Sequence, residues 1–125
     1  MAKILVIDDD QQIHDILNAL LTSFGHEVES ALDGMQGTQK AAQLWPELIV
    51  LDFEMPGGGG DVVFDRLRAN QRLQTVPVLF LSSMPLSVQV MKVPVSRNVR
   101  YLKKPIDPAE LAQAVKDLLA PPKHV

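Results

Sequence analysis

Apolar residues fall along this chain in two alternating rhythms. Short runs of strand length recur at Ile4-Leu5-Val6-Ile7, Leu48-Ile49-Val50-Leu51, Val76 to Leu81, and Val99-Arg100-Tyr101-Leu102. Most are continuous and apolar, as expected of strands covered on both faces. Between them the spacing stretches to a helical period. Ile13, Ile16, Leu17, Leu20, Leu21 and Phe24 recur at i, i+3, i+4, i+7, i+8 and i+11, the spacing of one helix face, and Gly25 is placed to end that helix. His26 to Ala31 reads as a short strand with Val28 inward, at a sheet edge because its neighbours are polar. A second helix spans 34 to 44 and closes at Trp45-Pro46. The glycine run 57–60 opens a third helix, through about Asn70, with Val63, Phe64 and Leu67 as its buried side.

The stretch after the fourth strand is the least regular. Ser87 to Met91 supports a turn or two of helix, but Pro94 lacks an amide donor and would clash with the preceding turn. Val88, Val90, Val93 and Val95 lower the helical propensity further. The fourth helix is therefore expected to be short or absent and to end before Pro94. Asp107-Pro108-Ala109-Glu110 has Asp as N-cap, Pro at N1 and Glu at N3, and starts a last helix with Leu111, Ala114, Val115, Leu118 and Leu119 as its stripe. Pro121-Pro122 stops it. Residues 1–120 then form one domain and 121–125 a tail or the start of a linker.

Five strand–helix pairs imply a parallel sheet with helices on both faces, an α/β three-layer (βα)5 sandwich. Right-handed crossovers and a ligand edge at a topological switch point favour strand order 2-1-3-4-5, the flavodoxin-like arrangement.

Bulk properties narrow the function. The chain has 125 residues, 46% hydrophobic and 22% charged, with a formal charge of −3, so it lacks the basic balance of a nucleic-acid binder. It has no cysteine, which excludes disulfides and thiolate metal sites. The apolar run after Met1-Ala2-Lys3 is four residues, too short for a signal core or a membrane span. A cytoplasmic location and no membrane contact are expected.

The strand ends carry the chemistry. The first run leads into Asp8-Asp9-Asp10, the third strand into Asp52, the fourth into Ser82-Ser83 and the fifth into Lys103-Lys104-Pro105. Carboxyl ends of parallel strands form the ligand edge of such a sheet. Clustered carboxylates repel unless a cation joins them, and all-oxygen ligation suits Mg²⁺. Asp10 is the expected helix N-cap. Asp52, beside a divalent ion, could attack phosphorus to give an acyl phosphate, with Lys104 and the Ser82 hydroxyl on the phosphoryl oxygens. Strand alternation directs Lys103 away from the site.

The ordered set Ile-Leu-Val-Ile-Asp-Asp at 4–9, Leu-Ile-Val-Leu-Asp-Phe-Glu-Met-Pro at 48–56, Gly60, Ser82-Ser83 and Lys104-Pro105 resembles the response regulator receiver domain of two-component phosphorelays, over about Lys3 to Ala120. The resemblance implies Asp52 as phosphoacceptor, receiving a phosphoryl group from the phosphohistidine of a sensor histidine kinase or histidine phosphotransfer protein. It also implies Mg²⁺ held directly by Asp9 and Asp52, by Asp8 through water, and by the main-chain carbonyl of Glu54. Lys104 and Ser82 would contact the phosphoryl group, Tyr101 would be the coupled aromatic, and Lys104-Pro105 is the candidate cis bond. Such a domain is a switch that takes part in its own phosphorylation and dephosphorylation rather than a turnover enzyme. It needs no nucleic acid contact of its own, and phosphorylation-dependent homodimerisation is one form its output could take.

Two departures stand out: Lys92 to Asn98 replaces the family's longer fourth helix, and the glycine run replaces a loop that often carries Met and Asp, so a mobile loop is expected. Two rivals share some of the residues. A haloacid-dehalogenase-like phosphatase would use Asp8 as nucleophile in Asp8-Asp9-Asp10, but it usually needs a longer chain and a late acidic pair where Lys103-Lys104 stands. A receiver-like binding module that no longer switches is opposed by the intact Asp52, Ser82 and Lys104.

Overall fold

The structure is a computed structural model that describes residues 1–56 and 58–120. Gly57 and the expected tail at 121–125 lie outside the described residues. Five strands, β1 (Lys3–Ile7), β2 (Glu27–Ala31), β3 (Leu48–Asp52), β4 (Val78–Ser82) and β5 (Val99–Lys103), alternate with five helices, α1 (Gln11–Ser23), α2 (Gly34–Leu44), α3 (Gly60–Ala69), α4 (Leu86–Lys92) and α5 (Pro108–Leu119). The strands form one parallel sheet in the order β2-β1-β3-β4-β5, the flavodoxin-like topology.

Strand alternation sorts the core into two layers. Ile4, Val6, Leu48, Val50, Leu79 and Leu81 meet Leu17 and Leu21 of α1 and Leu111, Val115 and Leu118 of α5. Leu5, Ile7, Ile49, Leu51, Val78 and Phe80 meet Ala41 of α2, Val63 and Leu67 of α3, and Val93 just past α4. All five residues of β3 and β4 are buried, as central strands with both faces covered require. Val28 of the edge strand β2 is half-buried. Among the described residues no helix is long and apolar enough to cross a membrane.

Local chemistry sets the boundaries. Asp10 caps α1 through the amide of Gln12, Asp33 caps α2 through that of Gln36, and Asp107 caps α5 through those of Ala109 and Glu110. Pro46 blocks continuation of α2, and Trp45 closes it in the left-handed region at φ 49°. The Trp45 ring, 56% exposed, lies under the guanidinium of Arg72, 4.3 Å from its centroid.

Several sequence expectations need adjustment. β4 starts at Val78 rather than Val76, because Pro77 has no N–H to give the ladder and contributes only its carbonyl, to Ile49. The stripe drawn for α1 is wider than the face buried. Ile16 and Phe24 are exposed, while His14, outside the stripe, is buried. Phe64 and Leu119 are half-buried at the margins of their layers.

The fourth helix is seven residues long and ends at Lys92; Val93 is already extended, at φ −131° and ψ 100°. Pro94 follows, and Ser96 and Val99 then exchange main-chain hydrogen bonds in a tight return into β5. Short and irregular is the form expected from Pro94 and the valines.

Candidate functional site

Four strand ends converge at one edge of the sheet. Asp8 directly follows β1, and its amide donates to Ala31 at the end of β2. Its side chain accepts from the Asp10 amide at 2.9 Å, which fixes the carboxylate in the turn leading to α1. Asp52 is the last residue of β3, and its Oδ1 accepts from the Glu54 amide at 3.2 Å. Both carboxylates are almost fully buried, with 1% of Asp8 and 3% of Asp52 exposed. Asp9 is exposed beside them, and one carboxylate oxygen from each of Asp8, Asp9 and Asp52 lies within 4.8 Å of the other two.

Gly60 lets α3 start close to this edge. A Cβ there would lie 2.7 Å from the Asp52 carbonyl oxygen and 2.8 Å from the Phe53 Cα, contacts with main chain that cannot swing aside. The Gly60 amide donates to the Phe53 carbonyl at 2.8 Å, tying the helix start to the loop after Asp52.

Among the described residues the one cation in the cluster comes from beyond β5, on the far side of the sheet. Lys104 Nζ lies 3.2 Å from Asp8 Oδ2 and 3.3 Å from Asp52 Oδ1. Its main-chain amide donates to the Ser82 carbonyl at 2.8 Å, and the Lys104-Pro105 bond is cis. Lys103, one residue earlier on β5, is exposed and makes no ion pair among the described residues. Lys104 is therefore the lysine that the strand delivers to the carboxylates.

The electrostatics follow from burial. Desolvation, then the neighbouring Asp8 charge, pushes Asp52 up to about 6, against the pull of Lys104 and the Glu54 amide. Desolvation also raises Asp8. Burial alone would lower Lys104, but Asp52 and Asp8 outweigh it and its pKa is raised. Two buried carboxylates thus share one ammonium, with a third carboxylate at the rim. That charge deficit is what a divalent cation corrects.

Ser82 ends β4, fully buried, but its hydroxyl is already engaged. Oγ lies 2.5 Å from Glu54 Oε2, and Glu54 Oε1 accepts from the Ser83 amide at 2.8 Å and the Ser83 hydroxyl at 2.9 Å. Burial tends to raise Glu54, but these hydrogen bonds prevail and its pKa is lowered. Ser82 Oγ also accepts from Gln89 Nε2 at 3.1 Å and from the Met84 amide at 3.2 Å. Gln89 is the buried residue of α4, and its Oε1 is buried with no partner among the described residues.

Tyr101 is half-buried on the same face, with its ring stacked on Phe80 at 4.9 Å. Its hydroxyl proton is shared between the main-chain carbonyls of Val93, at 2.6 Å, and Gln89, at 3.1 Å, the shorter contact being the stronger. Burial, helped by the charge of Asp61, pushes this phenol up to about 12. Gln89 therefore stands between Ser82 and Tyr101, bonded to one through its side chain and to the other through its main chain.

Asp8, Asp9, Asp52 and Lys104 come together, while Ser82 and Glu54 form a neighbouring group connected to Tyr101 through Gln89. Sequence reasoning missed three contributors. His14 donates from Nε2 to the Asp8 carbonyl at 2.7 Å, and its Nδ1 is buried without a partner among the described residues. The Glu54 side chain went unnoticed, although a carboxylate two residues past Asp52 faces a double serine at the adjacent strand end. Gln89 had a faint signal: an amide among valines on an otherwise apolar stretch.

The sequence matches the family described as the response regulator receiver domain over residues 4–116. It is 38% identical over 119 residues to the DNA-binding dual master transcriptional regulator RpaA of Synechocystis, covering 95% of this chain and 49% of that protein. To Protein PilG of Pseudomonas aeruginosa it is 32% identical over 114 residues, covering 91% of this chain and 84% of that one. The chain thus spans about half the length of RpaA. Among solved structures, the chemotaxis protein CheY4 of Vibrio cholerae superposes with a TM-score of 0.89 at 27% identity, over 95% of this chain and 99% of that one. The receiver domain of sensor histidine kinase PA1611 from P. aeruginosa, which has a magnesium ion coordinated in its active site cleft, gives a TM-score of 0.85 at 25% identity, over 94% and 97% of the two chains.

Proposed function

This chain is a member of the response regulator receiver domain family, and from that premise we propose that it is a phosphorylation-controlled switch whose phosphoacceptor is Asp52. The observation that carries this reading is the bridging of buried Asp8 and Asp52 by Lys104 at the carboxyl edge of the sheet. It sets a nucleophilic carboxylate beside a cation that can hold a phosphoryl oxygen.

The donor set fits Mg²⁺, since Asp8, Asp9 and Asp52 offer only oxygen and carry three negative charges against one ammonium. Asp9 and Asp52 would hold the ion directly, Asp8 through water, and the Glu54 carbonyl would complete the protein ligands. When bound, the ion neutralises charge on the carboxylates and on the phosphoryl oxygens. In the transfer, an Asp52 oxygen attacks phosphorus as the P–N bond of a partner's phosphohistidine breaks. The leaving imidazole keeps the electron pair and takes a proton from solvent. Lys104 holds one phosphoryl oxygen and the Ser82 hydroxyl donates to another, and Tyr101 reads the change from β5.

The partner is a sensor histidine kinase or a histidine phosphotransfer protein, and such a donor places the domain in the cytoplasm. The output is a changed binding surface rather than a released product, so the chain is not a turnover enzyme. Lys103-Lys104 at the end of β5, where a haloacid-dehalogenase-like phosphatase needs an acidic pair, weighs against Asp8 as a phosphatase nucleophile.

Intact-mass measurement with Mg²⁺ and a small acyl-phosphate donor tests the reading. One labile adduct is expected, absent in Asp52→Asn. An adduct that survives Asp52→Asn and disappears in Asp8→Asn would overturn it.

A further inference from the structure

The Ser82 hydroxyl has one proton and two acceptor lone pairs. In this structure all three are committed: the proton to Glu54 Oε2 at 2.5 Å, and the lone pairs to Gln89 Nε2 at 3.1 Å and the Met84 amide at 3.2 Å. A phosphoryl oxygen on Asp52 can only accept, so it needs the same proton. Glu54 and the phosphoryl group therefore compete for one donor. The competitor is well built. Its second oxygen takes the Ser83 amide and the Ser83 hydroxyl, at 2.8 and 2.9 Å, so one carboxylate gathers three donors at the end of β4. Hydrogen bonds to an ionised acceptor are about twice as strong as neutral ones.

We infer that the Glu54 carboxylate is a built-in stand-in for the phosphoryl group, which holds Ser82 in the resting position until phosphorylation displaces it. The inference rests on the proposed role of Asp52 and adds a residue that sets how readily the site responds. Glu54 is a positioning residue: it acts on the phosphoryl group through Ser82. Release reaches further than the site. Once Ser82 moves, Gln89 Nε2 loses its acceptor, and Gln89 Oε1 is already buried without a partner among the described residues. A buried amide with both ends unpaired is unfavourable, so Gln89 must shift with the hydroxyl. Its main-chain carbonyl lies 3.1 Å from the Tyr101 hydroxyl, which also reaches the Val93 carbonyl at 2.6 Å, so a shift of Gln89 that moves the α4 main chain would reach β5.

The test is a double-mutant cycle on the intact chain with Mg²⁺, using beryllofluoride as the probe, with Glu54→Ala, Ser82→Ala and the double variant. Glu54→Ala should bind the probe about tenfold tighter than wild type, because the resting state loses one charge-assisted bond that the bound state lacks. Glu54→Gln, a neutral acceptor of the same shape, should fall between them. In the Ser82→Ala background, Glu54→Ala should have little effect. A gain of the same size with and without Ser82 would mean that Glu54 merely repels the anion, and would overturn the inference; so would no gain in either background. A second readout is independent of any phosphoryl analogue. The Ser83 amide proton should sit downfield in the resting protein and move upfield in Glu54→Ala, and an unmoved resonance counts against the clamp. If wild type gives no Asp52 adduct while the Ser83 resonance still moves, the clamp exists and the functional reading is what fails.

Discussion

The Tyr101 hydroxyl donates to the main-chain carbonyl of Val93 at 2.6 Å, so β5 is tied to the point where α4 stops. Val93 is extended and precedes Pro94, so its carbonyl cannot continue a helical ladder, and the phenol satisfies it. The tie closes off a segment with little else to hold it, since Val88, Met91 and Val95 face solvent.

Tyr101→Phe should therefore destabilise the fold by about 1 kcal/mol, the usual contribution of a neutral hydrogen bond. Hydrogen exchange should quicken in α4 and the 93–98 return while remaining slow in β1 and β3. Uniform acceleration across the sheet would show that the hydroxyl does not act locally.

Lys104 and Lys103 are adjacent in sequence but opposite in role. Lys104→Met leaves Asp8 and Asp52 buried with no cation between them, and should lower metal-free stability by on the order of 3 kcal/mol at pH 7.5. Lys103→Met, on the exposed side of β5, should stay within about 0.5 kcal/mol of wild type. Urea midpoints for the two variants check this, and equal losses would contradict the assignment of the site lysine.

Asp52 makes stability depend on pH in an unusual direction. Its folded pKa is raised to about 6 by burial and by Asp8, above the ordinary 3.8. A raised acid favours the fold only while protonated, so its contribution is complete below the ordinary value and is lost as pH climbs through about 6. Asp52→Asn, neutral throughout, should match wild type near pH 4 and exceed it by on the order of 2 kcal/mol at pH 7.5 without metal. Mg²⁺ should close much of that gap by stabilising wild type alone. A gap that narrows with rising pH in metal-free buffer would reverse the sign and refute the claim.

Gly60→Ala places a methyl 2.7 Å from the Asp52 carbonyl and 2.8 Å from the Phe53 Cα. About 1–3 kcal/mol of destabilisation is expected from forcing α3 off the sheet. The loop after Asp52 should move with it, visible as shifted Phe53 and Glu54 amide resonances. A variant as stable as wild type would mean that α3 can start elsewhere.

Much of the fold could be read from residues that act locally. Continuous apolar runs mark strands buried on both faces, Asp107-Pro108 sets its own helix start, and Pro94 sets the limit of α4 because its missing donor acts wherever the chain goes. Side chains whose fate depends on packing were less legible. Ile16 and Phe24 fit the α1 stripe by spacing, yet the angle at which α1 meets the sheet and α5 leaves them in solvent and buries His14 instead. The site divides the same way. Strand ends are fixed by topology, so Asp8, Asp52, Ser82 and Lys104 could be named in advance. The clamp between Glu54 and Ser82 spans 28 residues and depends on side-chain rotamers, which no spacing rule encodes.

The lone tryptophan gives the molecule an optical asymmetry. Trp45 follows α2 and precedes β3, at the end of the sheet opposite the carboxylates, with Arg72 laid over its ring. Its emission should respond when α2 and the 71–73 turn separate during unfolding, and remain silent when an anion occupies Asp52. Tyrosine emission should respond to both events, because the single phenol is bonded to the Gln89 and Val93 carbonyls and stacked on Phe80. One cuvette can thus separate switching from melting: a tyrosine change with steady tryptophan emission marks the first, and a change in both marks the second.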